Sequence, residues 1–254
     1  MTIFQAIILG IVQGLTEFLP VSSSGHLVII QSIFKNFSQP GISFDVFLHF
    51  GTLISVLIFF RKEIIDILKF KQKNWIILII VATIPAGIVG VFLKDFIENL
   101  FTNVNLVAIA LIITGIILFI SDKVKGEIKD ENKINIKDAI IIGIAQAFAI
   151  IPGISRSGST ISTGIFCGLN RDVAVKFSFI MSIPAIIGAV ILSLPEFKTI
   201  NSQFYLPYLC GFLASVITGL LSLKLLTIIT KMKNLKFFSF YCWIIALGVI
   251  IWMK

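Results

Sequence analysis

The chain reads as all-α and polytopic: a membrane protein of six transmembrane helices plus two re-entrant helical hairpins, arranged as an inverted-topology repeat. Three observations predict this. Of its 254 residues, 57% are hydrophobic and 13% charged, and a mean hydropathy of +1.04 lies far outside the range of soluble domains. The apolar residues fall into runs long enough to cross a bilayer. Finally, GIVQGLTEFLPVSSSGHL at Gly10–Leu27 returns as GIAQAFAIIPGISRSGST at Gly143–Thr160, two polar patches in otherwise apolar surroundings.

A membrane helix needs about 20 mostly apolar residues to cross about 30 Å of hydrocarbon. In chain order, Ile3–Leu19 is apolar but stops at Pro20, and a serine-rich turn with a second short helical pattern follows. This is the first hairpin. Phe44–Phe60, Trp75–Leu93 and Val104–Ile120 are then read as spans. Ala139–Ile151, only about 20 Å long as a helix, stops at Pro152 and is followed by a Ser/Gly-rich turn, giving the second hairpin. Ala174–Leu194, Leu206–Ile229 and Phe237–Trp252 complete the spans.

Sidedness follows from lysine and arginine, which accumulate in cytoplasmic loops. Three clusters qualify: Arg61, Lys62, Lys69, Lys71 and Lys73; Lys123, Lys125, Lys129, Lys133 and Lys137; and Lys231, Lys233 and Lys236. The number of spans between clusters is even, so all three fall on one side. The N- and C-termini and the first hairpin then face outward, and the second hairpin enters from the cytoplasm. The formal net charge of +8 therefore sets orientation, and no nucleic-acid partner is expected. Cys167, Cys210 and Cys242 lie in or beside apolar runs and read as packed thiols. The start, MTIFQAIILG, lacks a basic n-region and does not read as a removable signal peptide.

Because the two copies enter from opposite faces, the repeat is inverted. The match continues past the hairpins, with Asp45, Val46, Phe50 and Ser55 recurring as Asp172, Val173, Phe177 and Ser182. The expectation is one domain, residues 1–254, of two interlocked repeats (about 1–100 and 139–230) plus a C-terminal span.

Broken helices at mid-membrane are tolerated where they are buried in protein or line a wet cavity, so the two tips should share a pocket. In PGISRSGST, Gly153 and Gly158 permit tight turns, and Arg156 adds a fixed positive fork beside the N–H groups that open the next helix. That combination suits phosphate. In VSSSGH the serines and Gly25 offer a similar helix start. Glu17 carries charge where insertion costs roughly 2.5–3.5 kcal/mol unless compensated. Gln13, one turn earlier, shares its helix face. The two oxygens suit a shared divalent cation, whereas the alternative is a Glu17–Arg156 ion pair that only locks the halves together. Both readings stand on the physics alone. His26, beside three hydroxyls, suits proton transfer or a helix-start hydrogen bond. His49, one turn from Asp45, reads as packing and local hydrogen bonding in preference to lining the cavity. For Ser22, Ser23 and Ser24, capping accounts for at least two, leaving at most one nucleophile.

At these residues the chain resembles the bacterial undecaprenyl-diphosphate phosphatases of the bacitracin-resistance type. The resemblance covers essentially the full length, and its specific parts are QGLTEFLPVSSSGHL at 13–27 and PGISRSGST at 152–160. It implies a multi-spanning enzyme of the cell (inner) membrane that removes the terminal phosphate of undecaprenyl diphosphate, recycling the lipid carrier for cell-wall synthesis. It also implies a divalent cation, Mg2+ or Ca2+, and a site open to the outer side. Carried over residue by residue, the family's positions are Gln13, Glu17, Ser22, Ser23, His26, Ser155, Arg156 and Thr160. Gln13 stands where the family accepts Glu or Gln.

Joined to the reading of the residues, this gives a catalytic set of Glu17, Ser23, His26 and Arg156, with Gln13, Ser22, Gly153, Ser155, Ser157, Gly158 and Thr160 around the substrate. Glu17 and Gln13 hold the metal, and Ser23 is the expected nucleophile with His26 as its base, attack by a His26-activated water being the alternative. The expected partners are the diphosphate lipid and the bilayer, with a homodimer left open. A transporter or flippase for a lipid phosphate would use the same features, since paired broken helices also bind anions in carriers. SSSGH is similar to the SGH element of acid-phosphatase-like lipid phosphatases, but no histidine follows His49 to complete that pattern.

Overall fold

With no water at mid-bilayer, backbone N–H and C=O groups must be paired within the chain, and helices do this locally. The computed structural model describes residues 1–34, 37, 42–124, 129–198, 200–231 and 235–253, and these are helical almost throughout. Lys125 and Lys233 of the basic clusters lie outside the described residues.

The first hairpin is α1 (Ile3–Phe18) and α2 (Ser23–Ile33). A capping box between Thr2 and Gln5 starts α1, and Leu19 turns extended ahead of Pro20, as the residue before a proline must. Next come α3 (Ser43–Phe59), α4 (Arg61–Leu68), α5 (Lys73–Phe92), α6 (Lys94–Leu100) and α7 (Val104–Lys123). The second hairpin is α8 (Ile136–Phe148), opened by an Asn135–Asp138 capping box, and α9 (Arg156–Phe166), capped by Ser155. The rest is α10 (Arg171–Leu192), α11 (Leu194–Phe197), α12 (Tyr205–Lys231) and α13 (Lys236–Trp252).

The protein is an all-α polytopic membrane protein. Each of the six predicted spans coincides with one helix: α3, α5, α7, α10, α12 or α13. Among the described residues, α5, α7, α10 and α12 are long and apolar enough to cross a membrane alone. The other two differ from expectation in length. α3 has 17 residues and bends by 78° into charged α4, and α13 also has 17. Rows of exposed apolar side chains face outward, as in Leu206, Leu209, Leu213, Ile217, Leu221 and Leu225 of α12. Such a stripe suits contact with lipid tails.

Packing crosses between the copies. α12 lies on α1 and α3, whereas α5 lies on α8 and α10, so the hairpin and first span of each copy are braced by the later long helix of the other. α13 packs on α7, which touches both α2 and α9. Helix contacts rest on small residues and hydroxyl-to-carbonyl bonds, the glue available in lipid. At Gly14 an added Cβ would stand 2.7 Å from Gly219 N and the Ser215 carbonyl oxygen. Ser222 donates to the Leu15 carbonyl at 2.8 Å, and Ser215 donates to that of Leu48 at 3.1 Å.

Candidate active site

The two hairpin turns meet. Gly153 lies at φ +96, and a Cβ there would collide with Ala110 and the Val107 carbonyl of α7, so only glycine turns the chain this close to its neighbour. An added Cβ on Gly25 would be 3.0 Å from Gly153 Cα. Ser157 Oγ donates to the Leu19 carbonyl at 3.3 Å, linking the second hairpin to the first turn. From α7, Thr114 Oγ1 donates to the Gly153 carbonyl and accepts from the Ser155 N–H, both at 3.0 Å.

This contact brings Glu17 and Arg156 together. Arg156 Nη2 donates to Glu17 Oε1 at 2.5 Å, and Nη1 reaches the Ser178 carbonyl at 3.4 Å. The guanidinium also lies over the Phe179 ring. Glu17 Oε2 accepts from Ser23 Oγ at 2.6 Å and from Gln13 Nε2 at 3.0 Å, with His49 Nδ1 3.1 Å away. The carboxylate side chain is 4% exposed, so its charge is compensated by a guanidinium and neighbouring donors rather than by water.

Glu17, Ser23, Ser24, His49, Ser155 and Arg156 line one hollow of about 540 Å³. Its other walls are mostly apolar: Ala86, Gly87, Gly90 and Val91 on α5, Ala185, Gly188, Ala189 and Leu192 on α10. A charged, hydroxyl-rich end thus opens into an apolar trough, a shape suited to an anionic head on a hydrocarbon chain.

Other predicted site residues serve the turns. Ser22, at φ 70, caps α2 by accepting from the Gly25 N–H at 3.3 Å. A serine held at positive φ costs on the order of 1–3 kcal/mol, and His26 braces it: His26 Nδ1 lies 2.7 Å from the Ser22 carbonyl. Its Nε2 lies 2.9 Å from Tyr241 Oη, and the two rings stack. The expected Ser23–His26 pairing is therefore not made; both imidazole nitrogens have other partners, and Ser23 faces Glu17. Ser155 caps α9 by accepting from the Gly158 N–H at 3.0 Å. Its own N–H is spent on Thr114, so it is not offered to an anion. Thr160 Oγ1 bonds the Arg156 carbonyl at 2.8 Å and Ser178 Oγ at 2.6 Å, tying α9 to α10 behind the guanidinium. Gly158 sits between the Ser155 side chain and Pro20.

Two residues enter from outside the expected set. His49, read from sequence as packing, stands 2.9 Å from Gln13 Nε2 and next to Glu17. The i to i+4 relation to Asp45 correctly put both on one face, and both line the hollow. Tyr241 carried no sequence signal, because nothing in α13 marks which helix it meets.

No group of three or more His, Cys, Asp or Glu side chains among the described residues is arranged to hold a metal ion. Protein ligation would therefore be partial, with substrate oxygens completing it. Gln13 Oε1 is buried with no hydrogen-bond partner. Turning that amide by half a turn exchanges nitrogen and oxygen without steric cost and would set Gln13 Oε1 against Glu17 Oε2, two hard donors that a divalent cation can bridge. The residues fit such an ion shared with phosphate oxygens.

Residues 6–248 match the family described as Bacitracin resistance protein BacA. The chain belongs to that family. It is 44% identical over 255 residues to a protein named undecaprenyl-diphosphatase from Carboxydothermus hydrogenoformans, covering 99% of this chain and 97% of that one. Proteins of the same name from Methanobrevibacter smithii (44% over 274 residues, 100% and 98% covered) and Methanococcus vannielii (44% over 255 residues, 98% and 100% covered) are similar. The motifs quoted above are thus embedded in likeness along the whole length.

Proposed function

We propose that this protein is an undecaprenyl-diphosphate phosphatase, a hydrolase that cuts the anhydride of the diphosphate lipid to give undecaprenyl phosphate and inorganic phosphate. The observation that carries this reading is the joining of Glu17, Ser23 and Arg156 from two hairpins at the polar end of an apolar-walled hollow. The full-length relatives named for the same hydrolysis support it, and no observation favours the carrier alternative over it.

In the mechanism we infer, Arg156 transfers part of its hydrogen bonding from Glu17 to the terminal phosphate and stabilises charge on the oxygens during transfer. Ser23 Oγ attacks that phosphorus, forming a new O–P bond as the bridging P–O bond breaks and the lipid monophosphate leaves. The serine proton passes to Glu17 Oε2, its hydrogen-bond acceptor. Water then attacks the phosphoserine phosphorus as the Ser23 Oγ–P bond breaks; Glu17 Oε2 returns its proton to Ser23 Oγ, and the water's oxygen and protons leave with inorganic phosphate. A divalent cation, when bound by Glu17, Gln13 and the substrate, would offset the diphosphate charge. His26 keeps the serine turn in shape. The polyprenyl chain lies along the α5–α10 walls.

We place the protein in the bacterial cell membrane with both termini and the hollow toward the outer side, and read its two copies as an inverted repeat within one domain. The decisive assay is phosphate release from undecaprenyl or farnesyl diphosphate by purified protein with magnesium. Substrate movement without phosphate release would leave the carrier in its place.

A further inference from the structure

Gln146, on α8, is 2% exposed and lines the same hollow as Glu17 and Arg156. Neither its Nε2 nor its Oε1 has a hydrogen-bond partner. A buried amide without partners is unfavourable, the more so where no water competes for it, so its presence calls for a ligand.

The repeat shows why the partners are missing. Gln146 is the counterpart of Gln13, whose nitrogen bonds Glu17 one turn on and meets His49 from α3. One turn beyond Gln146 the chain has Ile150, which accepts nothing, and in the extended register the place of His49 is taken by Lys176. Lys176 is committed elsewhere, its Nζ 2.6 Å from Glu131 Oε1. Hydroxyls on the nearby walls are also committed: Thr83 donates to the Ile79 carbonyl and Ser182 to that of Phe179. The first copy thus satisfies its glutamine's nitrogen within the protein, while the second leaves both the nitrogen and the oxygen of the equivalent amide open toward the cavity.

We infer that Gln146 is a substrate-binding residue, donating from Nε2 to a non-bridging oxygen of the diphosphate opposite the Arg156 fork. This rests on the phosphatase reading of the hollow. The bond is to a charged acceptor, for which loss weakens binding roughly ten- to hundredfold.

The test uses full-length protein in detergent and farnesyl methylenediphosphonate, a diphosphate that is not hydrolysed, with farnesyl phosphate and inorganic phosphate as parallel probes. Gln146→Leu and Gln146→Met should keep or raise the unliganded Tm, because they replace an unsatisfied amide with apolar atoms. Both should bind the diphosphonate about ten- to hundredfold more weakly and show a raised KM. Equal binding to wild type by both variants overturns the assignment. So does a fall in unliganded Tm in both, which would show that the amide's partner is the protein itself. If wild type itself neither binds the diphosphonate nor hydrolyses farnesyl diphosphate, the phosphatase reading fails and takes the assignment with it.

Discussion

Arg156 Nη2 and Glu17 Oε1 stand 2.5 Å apart although their helices belong to different hairpins, so this ion pair ties the two hairpins together and forms the polar end of the hollow. Removing one member of a buried pair strands the other charge, at about 3–5 kcal/mol. Glu17→Gln and Arg156→Gln should each lower the Tm and reduce kcat by roughly a hundred- to a thousandfold. The double variant separates strut from site: the Tm should recover while turnover stays lost. A double variant within about tenfold of wild-type turnover would mean that the pair only holds the halves together.

Ser23 donates to Glu17 at 2.6 Å, whereas His26 is held between the Ser22 carbonyl and Tyr241. Ser23→Ala should therefore reduce kcat by about a hundred- to ten-thousandfold, with a smaller loss of Tm than Glu17→Gln or Arg156→Gln because it removes one donor and strands no charge. Tyr241→Phe and His26→Asn should instead act together on the turn, each lowering stability, with the double variant little worse than the worse single one. Additive losses in that cycle would show that His26 works independently of Tyr241.

How much of this was readable beforehand depended on the kind of information involved. The hairpins were legible because Pro20 and Pro152 interrupt apolar runs at matched places, and the repeat put Glu17 and Arg156 at its two centres. Span positions followed from apolar length, but the 78° bend after α3 did not, since apolarity runs on to Phe60 where the helix axis turns. Side-chain partners were the harder part. Periodicity placed Asp45 and His49 on one face without saying which helix that face meets, and Tyr241 reaches His26 across the full length of the chain. The serine–histidine proximity in VSSSGH was misleading because, although three residues apart on α2 is a spacing that brings side chains near each other, each has a stronger partner from elsewhere: Glu17 takes the Ser23 hydroxyl, and the Ser22 carbonyl and Tyr241 take the imidazole.

His49 offers a sharper check on the site, because it bears on Glu17 and Gln13 without belonging to either hairpin. His49→Ala should lower kcat about tenfold or more, and His49→Gln, which retains a polar group of similar reach, should recover part of that loss. Wild-type kcat in His49→Ala would return it to the packing role read from the sequence.

Chelation tests the shared cation. Turnover should disappear in excess EDTA and return on adding magnesium or calcium, and Gln13→Leu should raise the metal concentration needed for half-maximal rate by about tenfold. Full activity in chelator would remove the metal from the proposal.

Orientation can be decided independently of chemistry. The charged α4 and the Arg171 end of α10, where Arg171 Nη1 pairs with Asp122 Oδ1 at 3.1 Å, lie at helix ends assigned to the cytoplasm. Lys94 pairs with Glu196 at 2.8 Å between α6 and α11, at the helix ends assigned to the outside. In a chain with its three cysteines replaced, Thr2→Cys, Asn103→Cys and Met253→Cys should label in intact cells with a membrane-impermeant maleimide, while Lys62→Cys and Lys137→Cys should label only after lysis. The positive-inside rule weighs loops near spans heavily, and here every described loop with a basic cluster falls on the side assigned to the cytoplasm. The reverse pattern would put the hollow's polar end on the cytoplasmic side and make this an enzyme for lipid diphosphate on the inner leaflet.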